Sequence, residues 1–124
     1  MIKLFCIPGG AASATAYLPW TKVLDRSIRL CLLEVPGRRL RRNEKSLETM
    51  DAVADDLFEN LKSQLKEDDD YMILGYCFGA VAGYELYRRI LSSGMLASDK
   101  ERSSASPMVL LNEYFPEESF ESSL

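Results

Sequence analysis

Short apolar runs alternate with polar, glycine-rich or proline-rich connections along the chain. Apolar residues fill positions 2–7, 28–35, 71–74 and 108–111 almost continuously. Runs of this length without strict alternation are typical of strands that are buried on both faces, as in a parallel sheet. The pattern therefore predicts four strands.

Helical periodicity lies between these predicted strands. Apolar residues recur at three- and four-residue spacing across positions 50–65, and Thr49 is a natural N-cap for this helix. A weaker helical pattern covers positions 15–24, and an apolar stripe that stops at Gly94 predicts a helix from about Phe78 onward. The members of that stripe are Ala80, Val81, Tyr84, Tyr87 and Leu91.

The alternation of strands and helices determines the expected fold class. Helices that connect strands of one sheet make right-handed crossovers and cover the sheet. We therefore expect an α/β fold, a mainly parallel sheet with helices on both faces, in a single domain spanning residues 1–124. The acidic and serine-rich end, residues 113–124, is expected to be a poorly ordered tail.

Composition and charge narrow the class of protein. Hydrophobic residues make up 47% and charged residues 27% of the 124 residues, which is ordinary for a folded globular chain. The net charge of −4 argues against non-specific binding to nucleic acid. The sequence contains no apolar run long enough to span a membrane and no signal peptide pattern, so we expect a cytoplasmic protein without a membrane partner.

Basic residues concentrate in one predicted connection, at Arg38, Arg39, Arg41, Arg42 and Lys45. Charge runs of this length are usually solvated loops, and this is the interpretation that we favour. Contact with an anionic partner is the alternative.

Cysteine and histidine content limit the chemistry. The three cysteines, Cys6, Cys31 and Cys77, form no C-x-x-C pair, so neither a disulfide framework nor a metal site is predicted. Cys6 and Cys31 lie inside apolar strands and are expected to be buried. The chain has no histidine, so a mechanism that needs an imidazole cannot be completed by these residues alone.

The third predicted strand is followed by Gly75-Tyr76-Cys77-Phe78-Gly79, a G-x-C-x-G sequence. Its strand–turn–helix context is characteristic of a nucleophile elbow, in which the central residue projects above the sheet. Cys77 is the candidate nucleophile, and the N–H groups at the start of the following helix favour its anionic thiolate. The alternative is a small buried cysteine in a closely packed crossover.

A second candidate element is the small-residue loop after the first strand, residues 8–13. Its backbone can approach a substrate closely because its side chains are small. In α/β-hydrolases this loop and the residue after the nucleophile each donate a backbone N–H to the oxyanion. Gly10 and Phe78 are accordingly the candidate oxyanion donors, and the alternative for the loop is a tight turn without chemistry.

Several sequence blocks occur in one order along the chain: LFCIPGGAASATAYLPW, EVPGR, MDAVADDL, LGYCFGA and YEL. In this order and spacing the blocks, which cover roughly residues 2–92, resemble the type II (external) thioesterases of polyketide and non-ribosomal peptide synthesis. The resemblance implies a partial α/β-hydrolase whose C-terminal half is missing. It also implies hydrolysis of acyl or aminoacyl thioesters from the phosphopantetheine arm of acyl or peptidyl carrier proteins, without a cofactor. A second polypeptide is then a candidate partner that supplies the missing half.

Three departures from the family pattern shape the functional expectation. Cys77 stands where the family usually has serine, Ala11 and Ala12 stand at its paired glycines, and its acid and histidine belong to the missing half. A thiol can attack a thioester unaided, but the acyl-cysteine that results needs an activated water. We therefore expect hydrolysis by this chain alone to be impaired. The alternatives are a non-catalytic module that binds a carrier protein or an acyl chain, and a cysteine-dependent acyltransferase.

Overall fold

The computed structural model describes residues 1–9, 12–66 and 69–94, together with the backbone of the strand at 108–112. Its four strands are all parallel and lie in the order β2-β1-β3-β4. They are β1 (Ile2–Ile7), β2 (Ile28–Leu32), β3 (Asp70–Tyr76) and β4 (Met108–Asn112). The predicted parallel α/β fold is therefore confirmed, with β1 in the interior of the sheet between β2 and β3.

Two α-helices follow the predicted positions closely. The first, α1 (Met50–Gln64), begins after Thr49, whose side chain accepts a hydrogen bond of 3.1 Å from the Ala52 N–H. The second, α2 (Phe78–Ser93), ends at Gly94, which has a left-handed φ of 67°. A glycine in that conformation is a common helix terminator because it has no Cβ to clash. The predicted cap and the predicted end are both confirmed.

The segment predicted to be weakly helical at 15–24 forms a 3-10 helix, Ala14–Lys22. It contains Pro19, which lacks the N–H that a continuous α-helical ladder would use. A short 3-10 turn, Arg39–Arg41, interrupts the basic connection. The second strand is shorter than the apolar run that predicted it, although the Leu33 N–H still donates to the Cys6 carbonyl at 3.0 Å.

One face of the sheet carries the larger part of the core. Strand register places Phe5 of β1 beside Cys31 of β2 and Ile73 of β3, and all three side chains are buried on this face. Both α-helices pack against it through Val53, Leu57, Leu61, Ala82, Leu86 and Ile90. Burial of this apolar surface is the main stabilising term for the fold.

The opposite face is covered by the 3-10 helix Ala14–Lys22 rather than by an α-helix. Leu4 and Cys6 are buried there together with Tyr17. The remaining apolar side chains on this face are only partly buried: Leu24, Ile28, Leu30, Leu32, Met72 and Leu74. Helical segments therefore cover both faces, as expected, but the described residues cover them unequally.

The stripe predicted for α2 is only partly right. Val81, Tyr84 and Leu91 are exposed, and the buried side chains of the helix are instead mostly small. The buried positions are Gly79, Ala80, Ala82, Gly83, Leu86 and Ile90. Small residues let the helix approach the sheet closely, so its core face is set by size as well as by hydropathy.

None of the helices in the described residues is long and apolar enough to cross a membrane. The predicted tail, residues 113–124, lies outside the described residues.

Candidate active site

The candidate residues meet at the edge of the sheet where the parallel strands end. The segments that leave β1, β2 and β3 all begin at this edge because the strands run in the same direction. Ligands bind outside the carboxyl ends of the strands in open α/β sheets. The chemistry that this edge of the sheet can support therefore depends on the geometry of these three segments.

Cys77 is the single residue between β3 and α2, and its backbone has φ 56° and ψ −115°. It is the only non-glycine residue with positive φ in the part of the chain that the structure describes. Holding a side-chain-bearing residue in such a conformation costs about 1–3 kcal/mol, so the surrounding structure must enforce it. Its side chain is half-buried, whereas a cysteine that only filled the core would be enclosed.

Two glycines allow this sharp turn. A Cβ on Gly75 would collide with the carbonyl group of Gly79, the second residue of α2. A Cβ on Gly79 would lie 2.5 Å from the Ile7 oxygen and 2.6 Å from the Pro8 oxygen. The glycines therefore bring the start of α2 against the backbone where the chain leaves β1.

Phe78 is the first residue of α2. Its ring packs against the core on the helical face of the sheet, so the side chain is turned into the protein. Its N–H is one of the four at a helix start that have no acceptor within the helix. The Ala80 N–H already donates to the Cys77 carbonyl at 2.9 Å. The backbone N–H of Phe78 therefore lies at the start of the helix beside Cys77, and its role as an oxyanion donor stays a prediction.

Gly10, the other predicted oxyanion donor, lies outside the described residues. The residues on either side of it show how the loop is placed. The Ala12 N–H donates to the Gly9 carbonyl at 3.2 Å, and a Cβ on Gly9 would lie 3.1 Å from Cδ1 of Tyr76. The Tyr76 ring therefore packs on the loop backbone, directly beside the candidate nucleophile.

The start of the loop is fixed by Tyr17, which the sequence analysis did not assign to the site. Its hydroxyl donates to the Ile7 carbonyl at 2.8 Å from a buried position in the 3-10 helix. Burial, and secondly Cys6, raise the pKa of Tyr17 to about 12, so the hydroxyl is a neutral donor at physiological pH.

The end of the loop is fixed by Glu34, which was also missed as a site residue. Its carboxylate accepts hydrogen bonds from the Ser13 hydroxyl at 2.5 Å and from the Ala14 N–H at 2.9 Å. One signal in the sequence could have found it: Glu34 is a charged residue inside the apolar run at 28–35, between two buried neighbours.

The other two cysteines are buried, as expected. Cys6 has no exposed surface and Cys31 is 6% exposed. Burial, and secondly the neighbouring Cys31, raise the pKa of the Cys6 thiol to about 12. Cys77 is therefore the most accessible of the three free thiols.

Comparison with known proteins agrees with this geometry. A model of the Thioesterase domain family matches residues 2–98. The chain belongs to the thioesterase family. It is 28% identical over 89 residues to the gramicidin S biosynthesis protein GrsT of Aneurinibacillus migulanus, covering 72% of this chain and 34% of that protein.

Solved structures of proteins from biosynthetic pathways share the fold. ClbQ, from the colibactin NRPS/PKS pathway, superposes with a TM-score of 0.72 at 33% identity, covering 75% of this chain and 38% of ClbQ. BorB, the type II thioesterase from the borrelidin biosynthetic cluster, gives a TM-score of 0.68 at 34% identity, covering 75% and 37%. The fold is that of a partial thioesterase of the α/β-hydrolase type, and the chain spans about a third of the length of these relatives.

The basic segment of this thioesterase chain divides into two kinds of residue. Arg41 is half-buried and bonds Asp56 of α1 through both terminal nitrogens, at 2.5 and 2.8 Å. Arg38 is partly buried, whereas Arg39, Arg42 and Lys45 are exposed, and within the described residues no ion pair includes any of these four. The interpretation as a solvated loop thus fits the three exposed residues, whereas Arg41 holds the segment against α1.

A depression of about 310 Å³ lies away from Cys77, beside the start of β2. Leu24, Ile28 and Leu30 are among the residues that line it. It is at the opposite end of the strands from Cys77. The described residues contain no group of three or more histidine, cysteine, aspartate or glutamate side chains that could hold a metal ion.

Proposed function

We propose that Cys77 is the nucleophile of a type II thioesterase that removes acyl or aminoacyl groups from carrier proteins in polyketide or non-ribosomal peptide biosynthesis. The observation that carries the proposal is the backbone of Cys77. A half-buried thiol in a strained, positive-φ turn between a strand and a helix is the geometry of a nucleophile elbow. The NRPS/PKS pathway named for ClbQ and the type II thioesterase activity named for BorB support the substrate class.

The first chemical step is transfer of the acyl group to sulfur. The Cys77 thiolate attacks the thioester carbonyl carbon, a new C–S bond forms and the carbonyl oxygen becomes an oxyanion. The backbone N–H groups of Phe78 and Gly10 donate to that oxyanion. Collapse of the tetrahedral intermediate breaks the bond to the phosphopantetheine sulfur, which leaves as a thiolate and takes a proton from water.

The second step is release of the acyl group to water, and here the chain is impaired. The acyl-Cys77 product is itself a thioester, and a water molecule must be deprotonated to attack it. The chain has no histidine to accept that proton. A second polypeptide that supplies the missing acid and histidine would restore release. No cofactor takes part, since the substrate arrives on the phosphopantetheine of the carrier protein.

Intact-mass measurement after mixing the 124-residue chain with an acyl-loaded carrier protein tests the proposal. The expected result is one added acyl mass on the wild-type chain, none on Cys77→Ala, and an unchanged adduct on Cys31→Ala. Slow loss of the adduct in buffer and faster loss with an added amine would identify an acyltransferase. Carrier binding that Cys77→Ala leaves intact, without any adduct on the wild type, would contradict the proposal and favour a non-catalytic binding module.

A further inference from the structure

We propose that Glu34 is a positioning residue, which anchors the end of the loop between β1 and the 3-10 helix at Ser13 and Ala14 and so supports the proposed oxyanion site. The inference rests on the proposed acyl transfer to Cys77. It concerns a side chain that does not touch the reacting atoms and that acts through Ser13 and Ala14.

The burial of Glu34 first shows that its carboxylate is held in one place. The residue is 6% exposed, and within the described ranges no lysine or arginine side chain pairs with its carboxylate. A buried carboxylate without a cation needs hydrogen bonds to offset the loss of water. Those bonds come from the Ser13 hydroxyl, from the Ala14 N–H and, at 3.3 Å, from the Leu40 N–H.

The direction of each hydrogen bond at Ser13 is fixed by its neighbours. The Thr15 N–H donates to the Ser13 oxygen at 3.2 Å, and the Thr15 hydroxyl lies 3.0 Å from the same oxygen. The Ser13 hydroxyl therefore uses its own proton for Glu34 and its lone pairs for Thr15. This network fixes the end of the loop and caps the first turn of the 3-10 helix at the same time.

Glu34 is itself held from the side of the sheet. Leu33, directly before it, donates its N–H to the Cys6 carbonyl of β1. Arg41 donates to the Glu34 carbonyl at 3.0 Å and is bound in turn to Asp56 of α1. Glu34 is thus attached to both the sheet and α1, so its carboxylate can impose a position on Ser13 and Ala14.

The position of the loop matters for the proposed acyl transfer. A backbone donor stabilises an oxyanion only when it lies about 2.7–3.1 Å from the developing charge. Loss of the Glu34 carboxylate would release Ser13 and Ala14 from these hydrogen bonds, while Tyr17 would still hold the start of the loop at Ile7. The transition state for acyl transfer would lose part of its stabilisation, whereas the Cys77 thiol would remain in place.

Two reagents that react with the same thiol separate these effects. A small acyl thioester needs the oxyanion site to acylate Cys77, whereas iodoacetamide alkylates the thiol by displacement without forming an oxyanion. We expect Glu34→Ala to slow acylation by roughly 10- to 100-fold and to leave the alkylation rate of Cys77 within about twofold, since displacement does not use the donors. Glu34→Gln, which keeps one acceptor oxygen, should fall between Glu34→Ala and the wild type.

Glu48→Ala is the matched control because Glu48 is exposed and lies in the same connection. Hydrogen exchange adds a readout independent of reactivity: peptides covering residues 8–16 should exchange faster in Glu34→Ala, while peptides of α1 and α2 should not. Equal acylation rates of wild type and Glu34→Ala would overturn the role of Glu34 alone. A wild-type chain that is alkylated but never acylated would overturn the proposed function, and the inference about Glu34 with it.

Discussion

The turn at Cys77 and the loop after β1 face each other across the same edge of the sheet, yet they are held in different ways. The turn depends on close backbone contacts, of Gly75 with residues 79–80 and of Gly79 with Ile7 and Pro8, where a side chain would clash. The loop depends on side chains from elsewhere, Tyr17 and Glu34, which lie 10 and 21 positions from the groups that they bind. One half of the site therefore depends on close backbone packing around two glycines, and the other on side-chain hydrogen bonds from distant positions.

This difference determines how each half responds to change. At Gly75 and Gly79 only glycine fits, because any side chain there would collide with backbone atoms. A hydrogen-bond requirement is graded, because each lost bond removes about 1 kcal/mol and leaves the rest in place. Substitutions in the turn should therefore unfold the chain, and substitutions at the loop anchors should loosen the loop within a folded chain.

The largest effect is expected for Gly79→Ala. The added Cβ would lie 2.5 Å from the Ile7 oxygen, and neither the strand nor the helix can move without loss of core packing. We expect the free energy of unfolding to fall by about 3 kcal/mol or more, measured by urea denaturation. Gly94→Ala is the control: its φ of 67° costs about 1 kcal/mol, but its Cβ meets nothing within 4 Å. A Gly79→Ala chain as stable as Gly94→Ala would contradict the close approach.

The same distinction explains what could be predicted from the sequence. The spacing of Gly75 and Gly79 around Cys77 indicated the turn because the motif is short and contiguous in the sequence. The partners of Glu34 could not be assigned in this way, since they come from a loop and a 3-10 helix that only the folded sheet brings near. The stripe predicted for α2 was partly wrong because its buried face uses glycine and alanine, whose packing depends on how closely the sheet approaches.

The second effect concerns pH, through two buried groups on the face of the sheet that the 3-10 helix covers. Tyr17 and Cys6 have pKa values raised to about 12 from ordinary values of 10.0 and 9.0, in both cases chiefly by burial. In the unfolded chain both groups lose their protons at lower pH than in the native state, so rising pH favours unfolding. We expect the free energy of unfolding to fall steadily between about pH 9 and pH 12.

Variants assign that pH dependence to the two groups. Cys6→Val and Tyr17→Phe should each make the decline shallower over this range, because each removes one group that titrates differently in the two states. Arg88→Lys, an exposed change on α2, should leave the slope unaltered. A slope that neither variant reduces would show that other groups cause the decline.

A smaller effect is expected for Tyr17→Phe at neutral pH. The substitution removes the hydroxyl that donates to Ile7 and keeps the ring in the core, so stability should fall by about 1 kcal/mol. Acylation of Cys77 by a small thioester should slow while alkylation by iodoacetamide does not. Tyr84→Phe on the exposed side of α2 should change stability by less than about 0.5 kcal/mol. If acylation and alkylation slowed equally, Tyr17 would support the turn at Cys77 and not the loop.

The smallest effect concerns the direction from which a carrier protein approaches Cys77. Arg39 and Arg42 are exposed in the segment that Leu40 ties to Glu34, on the loop side of the site, whereas Arg88 is exposed on α2. If an acidic carrier approaches from the loop side, Arg39→Glu with Arg42→Glu should slow acylation from a loaded carrier by about 3- to 10-fold at low ionic strength. Acylation by a small neutral thioester should be unchanged, since that reagent makes no use of surface charge. Because exposed charges are screened by salt, the difference in acylation rate between this variant and the wild type should shrink at high ionic strength. An equal effect of Arg88→Glu would show that the charge of the whole chain, and not the loop side, guides the approach.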